Sequence, residues 1–221
     1  MVNNRLNYLL SYIENKENII CDVGSDHCYT SILALQTKKA KFVFNIDINK
    51  QPMQIGINNL IKNGLFLKTK NIIANGLRTL EIDKNIDYCI ISGLGGHKIA
   101  EILNQKNEQI QIKKYVLLAN NNPECIRQYV FDNKMRIELE DFYLEGEIYY
   151  FLIIISNEGL EIKNEDDVLF GPYNLKTKSI NFLNYLKTEL TNNDRLYNES
   201  KQEKFNTLNK KILKLLEEFR I

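Results

Sequence analysis

The chain has 221 residues, a formal net charge of +1, four cysteines and two histidines. This length allows one α/β domain of about 150 residues plus an appendage, with a core large enough to need no crosslink. The cysteines, at positions 21, 28, 89 and 125, form no CxxC pair, which argues against a disulfide framework or a structural zinc site. We expect a soluble, cytoplasmic protein without a membrane partner, since no run approaches the roughly 18 apolar residues that cross a bilayer.

The charge is unevenly distributed along the chain. Residues 1–174 carry a net charge of −3, whereas residues 175–221 carry +4. A basic appendage is compatible with binding a polyanion, although a solvated, lysine-rich helix pair has the same composition.

The first apolar run of the chain ends in a loop that suits a polar ligand. Asn18–Val23 reads as a buried strand, Gly24 follows, and Ser25 and Asp26 precede a helix-like run over Tyr29–Gln36. In such a strand, loop and helix unit, backbone N–H groups and the helix dipole face an anionic or polar group. We therefore predict a cofactor site here, although many such loops need a glycine only for its positive φ.

A second strand ends on an acid at the spacing that nucleotide-binding folds use. Residues 41–47 are mostly apolar and close with Asp47, which lies 23 residues after Gly24. A carboxylate at this place in a nucleotide-binding fold accepts hydrogen bonds from ribose hydroxyls. Asp47 therefore strengthens the prediction of a cofactor site.

Strands and helices alternate through the first 131 residues. We predict an N-terminal helix over 5–13 and five parallel strands, joined by helices, over 18–23, 41–47, 71–75, 86–92 and 115–119. The pattern then changes, because two further β runs, 135–143 and 148–156, are joined around Glu145-Gly-Glu147, which is too short for a parallel crossover, and must form an antiparallel hairpin. This is the layout of the Rossmann-like class I methyltransferases, an α/β fold with seven strands of which one is reversed.

The chemistry of the loop favours a cofactor without phosphate. A dinucleotide fingerprint needs G-x-G-x-x-G, whereas here Asp26 stands at the second glycine and would repel a pyrophosphate. S-adenosylmethionine fits better: Asp22 and Asp26 suit its ammonium and sulfonium, the loop N–H groups its carboxylate, and Asp47 its ribose diol. Two simpler roles stay open, a solvent-facing residue at a strand end for Asp22 and a helix N-cap for Asp26.

Two apolar stripes at helical spacing lie near the C-terminus. They run over 182–197 and 205–219, and Ser200-Lys-Gln-Glu203 between them matches a capping box. These features predict an antiparallel coiled-coil hairpin whose second helix is capped by Ser200. Its positive charge favours contact with an RNA backbone, and dimerisation is the alternative role.

Several motifs together resemble one family. They are Val23-Gly-Ser-Asp-His-Cys-Tyr29, Asp47 with Asn49, Asn75-Gly-Leu77, Ser92-Gly-Leu-Gly-Gly96 and Phe170-Gly-Pro-Tyr-Asn-Leu-Lys-Thr-Lys-Ser179. Over essentially its whole length the chain resembles the TrmK family, bacterial tRNA (adenine-N1)-methyltransferases that act at tRNA position 22. The resemblance implies a methyltransferase core with a C-terminal helical hairpin, S-adenosylmethionine as cofactor and tRNA as partner.

The resemblance also implies site residues. The candidate catalytic residues are Asn120, Tyr29 and Gly93, with core packing as the alternative role of Tyr29. The candidate cofactor-binding residues are Asp22, Gly24, Ser25, Asp26, His27, Asp47, Ile48, Asn75, Gly76 and Gly93. Two departures stand out: Asn75-Gly76 replaces the Asp-Gly of the family, and residues 118–122 match its Gln-Pro-Asn motif only at Asn120. The alternative for 120–122 is a polar loop.

Methylation of adenine N1 needs little acid–base chemistry. The N1 lone pair is free when the base is unpaired, so we expect positioning to dominate, with no dedicated general base. His97 either lines the base pocket or simply begins a helix.

We predict a methyltransferase domain over 1–159, a connector over 160–175 and the hairpin over 176–221, in a monomer or weak dimer. The alternatives are a methyltransferase for another RNA or for protein, and a noncatalytic RNA-binding protein that the intact loop residues disfavour.

Overall fold

The computed structural model describes residues 4–79, 82 and 85–219, and within them one sheet has seven strands. The strands are β1 (Asn18–Val23), β2 (Ala40–Asp47), β3 (Thr69–Ile73), β4 (Ile86–Leu94), β5 (Ile112–Ala119), β6 (Arg136–Glu145) and β7 (Ile148–Ser156). Their order is β3-β2-β1-β4-β5-β7-β6. The first five strands pair in parallel, and β7 is antiparallel to both β5 and β6. The predicted sheet with one reversed strand is confirmed.

Helices follow the strands as the alternation predicts. They are α1 (Asn4–Ser11), α2 (Tyr29–Gln36), α3 (Lys50–Lys62), α4 (Gly96–Asn104), α5 (Pro123–Asp132), α6 (Glu165–Phe170), α7 (Pro172–Thr177), α8 (Ile180–Ser200) and α9 (Glu203–Glu218). The short helix α6 and most of α7 lie where the sequence indicated only a connector, over 160–175. None of the helices in the described part of the chain is long and apolar enough to span a bilayer.

The core is centred on β1, β4 and β5. Their inner residues are buried on both faces of the sheet, as expected for parallel strands covered by helices. Leu9, Leu10 and Ile13 at the N-terminus pack in one cluster with Ile20 of β1 and Leu35 of α2. The predicted N-terminal helix therefore packs against the sheet.

A buried ion pair ties the β6–β7 end of the sheet to the segment that follows it. Nε of Arg127 on α5 donates to Oε1 of Glu140 on β6 over 2.7 Å, and both side chains are at most 3% exposed. Arg127 Nη1 also donates to the Leu169 carbonyl at the end of α6, and Glu140 Oε2 accepts from the Tyr173 N–H over 3.1 Å. Gly171 lies against this carboxylate, so any side chain there would collide with it.

The chain divides into two compact units, the second beginning at Asn174. In the second unit α8 and α9 pack antiparallel, with the Phe182 and Phe219 rings 6.4 Å apart. In the middle of the pair, buried Asn193 donates from Nδ2 to Oδ1 of buried Asn209 over 3.0 Å. The termini of the predicted domains, 1–3 and 220–221, lie outside the described residues.

The predicted cap at Ser200 is wrong. Ser200 is the last residue of α8, where its hydroxyl donates to the Leu196 carbonyl over 2.7 Å. The helix ends because Lys201 adopts the left-handed conformation, with φ of 55°. Gln202 then precedes α9 as its N-cap residue without a side-chain cap. The Ser200 Oγ accepts from the Gln202 N–H over 3.4 Å, which lies before the first residue of α9, so α9 does not receive the predicted cap.

Candidate active site at the carboxyl edge of the sheet

The carboxyl half of β1 buries an acid. Asp22 is only 2% exposed, and its Oδ2 lies 3.4 Å from the Ser31 hydroxyl of α2. Burial raises the pKa of Asp22 to about 7, the Ser31 hydroxyl opposes this rise, and the Asp47 carboxylate adds to it. The interpretation of Asp22 as a solvent-facing residue is wrong, because β1 lies between two other strands.

The loop after β1 is held by the end of β2. Gly24 has a φ of 75°, and the N–H groups of Gly24 and Ser25 both donate to the Ile46 carbonyl, over 2.8 and 3.1 Å. We expected the loop N–H groups to face the carboxylate of a cofactor. These two are instead committed to the neighbouring strand, because β1 and β2 end side by side.

Asp47 joins the two loops at the ends of β1 and β2. Its Oδ2 accepts from the Asp26 N–H over 3.0 Å, and its Oδ1 accepts from the Asn49 N–H over 2.7 Å. An ionised carboxylate offers about four acceptor positions. Two backbone bonds therefore leave Asp47 with capacity for two hydroxyl groups.

Two simpler roles for residues of this loop are contradicted. Asp26 does not cap α2, since the N-cap residue is Cys28, and Asp26 lies exposed with a φ of 44°. Tyr29 does not pack in the core, since it is 56% exposed. Its ring meets the half-buried His27 ring edge-on, with the centroids 5.9 Å apart. Three polar or aromatic side chains of the loop are thus available to a ligand.

The ends of β2 and β3 add an apolar surface next to Asp47. Ile48 is 60% exposed directly after Asp47, and the Ala74 N–H after β3 donates to the Asp47 carbonyl over 3.0 Å. Asn75 follows, and Gly76 has a φ of 58° and lies against Ile102 of α4, so a side chain there would be crowded. Ile48, Asn75 and Gly76 therefore gather at the same end of the sheet as Asp47.

Hydrogen bonds join the loops after β4 and β5. The register of these strands shifts at Gly93, which has a φ of 79°. Asn120 donates from its backbone N–H to the Leu94 carbonyl over 2.9 Å and from Nδ2 to the Gly93 carbonyl over 3.0 Å. A side chain at Gly96 would collide with the backbone carbonyl of Asn122. These contacts give a physical reason for the glycines in the Gly93–Gly96 motif.

His97 lies at the beginning of α4, beyond that glycine motif. It is exposed, and its Nδ1 lies 3.3 Å from the Cys125 thiol in the first turn of α5. The first turns of α4 and α5, which follow the two loops, therefore bring a histidine and a cysteine together. All four cysteines of the chain are free.

The two acids select the kind of ligand that fits. Among the described residues, no lysine, arginine or histidine forms an ion pair with Asp22 or Asp47. Their neighbouring carboxyl groups suit a ligand that carries a positive charge and hydroxyl groups. A sulfonium nucleoside with an amino-acid head has both.

The comparisons with known proteins agree with this geometry. Residues 20–218 match the family model described as TrmK, tRNA (adenine(22)-N(1))-methyltransferase. The chain belongs to the TrmK family. A tRNA (adenine(22)-N(1))-methyltransferase of Bacillus subtilis is 25% identical to it over 96% of the chain and 91% of that protein.

Two solved structures of the TrmK type are similar over nearly the full chain. TrmK of M. capricolum in complex with S-adenosyl-homocysteine is 30% identical, with a TM-score of 0.83, and the match covers 98% of this chain and 97% of that one. Streptococcus pneumoniae Sp1610, a putative tRNA (m1A22) methyltransferase in complex with S-adenosyl-L-methionine, is 26% identical, with a TM-score of 0.85 and coverage of 98% and 100%. The likeness includes the helical C-terminal region.

The sequence analysis missed a buried polar row that supports the TrmK site. The Ser31 hydroxyl lies between Asp22 and Oδ1 of Asn45, Asn45 Nδ2 donates to Asn71 Oδ1 over 2.8 Å, and Asn71 Nδ2 donates to Thr69 Oγ1 over 3.3 Å. The row crosses β1, β2 and β3 in register. An asparagine in the middle of the apolar second strand was the signal for it.

Proposed function

We propose that the protein transfers the methyl group of S-adenosylmethionine to N1 of the adenine at position 22 of tRNA. The family match over residues 20–218 carries this proposal. Asp22 and Asp47 support it independently, because two buried acids that form no ion pair within the described part of the chain suit a sulfonium nucleoside better than a phosphate-bearing cofactor. A methyltransferase for another RNA or for protein has no observation in its favour.

The cofactor would lie across the ends of β1, β2 and β3. Asp47 would hold the ribose diol, Asp22 and exposed Asp26 the ammonium and sulfonium, and Ile48 and Asn75 the adenine side. Gly24, Ser25, His27, Gly76 and Gly93 would shape the pocket by backbone and close contact. When bound, S-adenosylmethionine supplies an activated methyl group, so the protein has to bind, align and keep water away.

The target base would enter beside the loops after β4 and β5. Asn120 and Gly93 form one wall there, and exposed Tyr29 offers a ring on which a base can stack. The unpaired adenine N1 already has a lone pair, so no residue needs to remove a proton from it. Turning the base out of the tRNA costs a few kcal/mol, which backbone contacts offset.

The second unit would grip the tRNA backbone. We assign the methyltransferase domain to 1–159, the connector to 160–175 and a coiled-coil hairpin to 176–221, in a monomer or weak dimer that works in the cytoplasm. Exposed lysines on α9, Lys204, Lys210 and Lys214, give the hairpin cations for phosphate contact. A tRNA-binding hairpin agrees with the net charge of +4 that the last 47 residues carry.

The reaction is tested with purified protein, unmodified tRNA and methyl-labelled S-adenosylmethionine. Nucleoside mass spectrometry should find 1-methyladenosine, and a tRNA with guanosine at position 22 should remain unlabelled. Label in another nucleoside, or in adenine at another position, would replace this function by methylation of another RNA site.

The role of the hairpin is tested by changing Lys204, Lys210 and Lys214 to Gln together. We expect the slope of log affinity for tRNA against log salt to fall by about 2 to 3. The matched control changes three exposed lysines near the amino ends of β1, β2 and β5 to Gln, namely Lys16, Lys41 and Lys113. An unchanged slope together with a monomer–dimer equilibrium that shifts in sedimentation would make the hairpin a dimerisation element.

A further inference from the structure

The amide of Asn120 has one fixed orientation. Its Nδ2 donates to the Gly93 carbonyl over 3.0 Å, while its backbone N–H donates to the Leu94 carbonyl over 2.9 Å. Rotating the amide by 180° would place two oxygens against each other at the Gly93 contact. The carbonyl oxygen Oδ1 therefore keeps its direction.

This oxygen lacks a partner. Oδ1 of Asn120 is withdrawn from solvent and accepts no hydrogen bond from the residues that the structure describes. Buried acceptors are normally paired, and an unpaired one at a candidate site needs an explanation. A donor brought by the substrate would supply the missing bond in a setting of low dielectric constant, where that bond is strong.

Adenine carries such a donor beside the reacting atom. As the N1 lone pair forms the new N–C bond, the C–S bond breaks and its electrons stay on sulfur, so the positive charge passes from sulfur to the adenine ring. Part of this charge reaches the exocyclic N6 amino group and makes its N–H a stronger donor. Guanine has an oxygen in place of N6 and a hydrogen on N1, so an acceptor at this place repels it.

We propose that Oδ1 of Asn120 accepts a hydrogen bond from the N6 amino group of the target adenine, and that this bond strengthens in the transition state. The inference rests on the proposed function and deepens it by naming the atom that distinguishes adenine from guanine. Gly93 then acts as a positioning residue, because its carbonyl sets the direction of the Asn120 amide.

A double-mutant cycle between protein and substrate tests the proposal. One tRNA carries adenosine at position 22, and the other carries purine riboside, which keeps N1 and lacks the amino group. Single-turnover methylation is measured for wild type and for Asn120→Ala. We expect the substitution to lower the methylation rate of the adenosine tRNA by roughly 10- to 100-fold. The methylation rate of the purine tRNA should fall by less than about threefold, because that tRNA cannot form the bond even with the wild-type protein.

Further measurements separate this role from a loop defect. Calorimetry should give the same S-adenosylmethionine affinity for Asn120→Ala as for wild type, and thermal unfolding should show a folded variant. Asn120→Gln keeps both the amide donor for the Gly93 carbonyl and an acceptor oxygen, and it should remain sensitive to the loss of the amino group, whether or not the alanine variant folds. Asn121→Ala, which alters the exposed neighbouring amide, should show no coupling with N6.

Two outcomes overturn the inference in different ways. Equal slowing of both tRNAs by Asn120→Ala would show that the residue only shapes the loop, with the reaction at position 22 intact. No methylation of the adenosine tRNA by wild type would overturn the proposed function, and the role of Asn120 with it.

Discussion

Two buried carboxyl groups in one sheet have different partners. Glu140 on β6 receives hydrogen bonds from the Arg127 guanidinium over 2.7 Å and from the Tyr173 N–H over 3.1 Å. Asp22 on β1 is as deeply buried, yet only the Ser31 hydroxyl, 3.4 Å away, approaches it as a donor in the described residues. The chain supplies a cation to one acid and leaves the other to a ligand. Glu140 therefore serves the fold, whereas for Asp22 we propose a role in ligand binding.

The largest expected effect comes from removing the cation that pairs with Glu140. Arg127→Met should lower the free energy of unfolding by about 3 to 5 kcal/mol, because it leaves a buried carboxylate without its partner. Urea denaturation measures this. The exposed pair Arg136–Glu161 provides the control, since Arg136→Met should cost less than about 1 kcal/mol. If both substitutions lowered the free energy of unfolding equally, the Arg127–Glu140 pair would have no special structural role, and the contrast between Glu140 and Asp22 would be lost.

Asp47 is a third buried acid, and its partners are backbone N–H groups. Asp47→Ala should weaken S-adenosylmethionine binding by roughly 1.5 to 3 kcal/mol, since the ribose hydroxyls lose a charged acceptor. It should also lower stability by about 1 to 3 kcal/mol, because the Asp26 and Asn49 N–H groups lose their acceptor. Calorimetry and urea denaturation separate the two effects. Unchanged cofactor affinity would contradict the assignment of Asp47 to the ribose.

Asp22→Asn should affect binding and spare the fold. We expect S-adenosylmethionine binding to weaken by about 1.5 kcal/mol, a value near the lower end of what a hydrogen bond to a charged group contributes. The loss is small because exposed Asp26 would still interact with the ammonium. The free energy of unfolding at pH 8 should stay constant or rise, since a neutral amide avoids the cost of burying a charge. A loss of stability as large as that of Arg127→Met would show that Asp22 is structural after all.

The smallest effect we expect is a pH dependence that comes from Asp22. Its pKa is raised to about 7 in the folded protein, so its contribution to stability is complete below pH 3.8 and is lost as the pH rises through 7. S-adenosylmethionine, whose ammonium suits the ionised acid, should bind up to about tenfold more tightly per pH unit as the pH rises towards 7. Calorimetry from pH 5.5 to 8 measures this, and the same slope in Asp22→Asn would exclude Asp22 as its source.

Much of the architecture could be predicted because each central strand is a continuous apolar run and each hairpin or crossover has a characteristic length. The acid at position 47 was visible for the same reason, since it ends such a run. The partners of these acids were not visible. Arg127 and Glu140 meet only once α5 packs on β6, and Ser31 and Asn45 meet only once α2 covers β2.

The predictions of helix N-caps from local sequence motifs were also wrong. The sequence after position 197 contains a capping box, but the serine bonds within its own helix and Lys201 ends that helix instead. Asp26 is a good N-cap residue by type, yet its N–H is drawn to Asp47 and the helix begins three residues later. In both cases a contact outside the motif decided the conformation.

The amide pair in the C-terminal hairpin has a consequence for protein engineering. Leucine at positions 193 and 209 would bury more apolar surface, and a sequence optimised for stability alone would choose it. Leucines at these positions would favour no particular alignment of the two helices, whereas Asn193 and Asn209 bond each other in a single alignment. A designer who grafts α8 and α9 onto another domain should therefore keep both asparagines and improve the flanking layers instead.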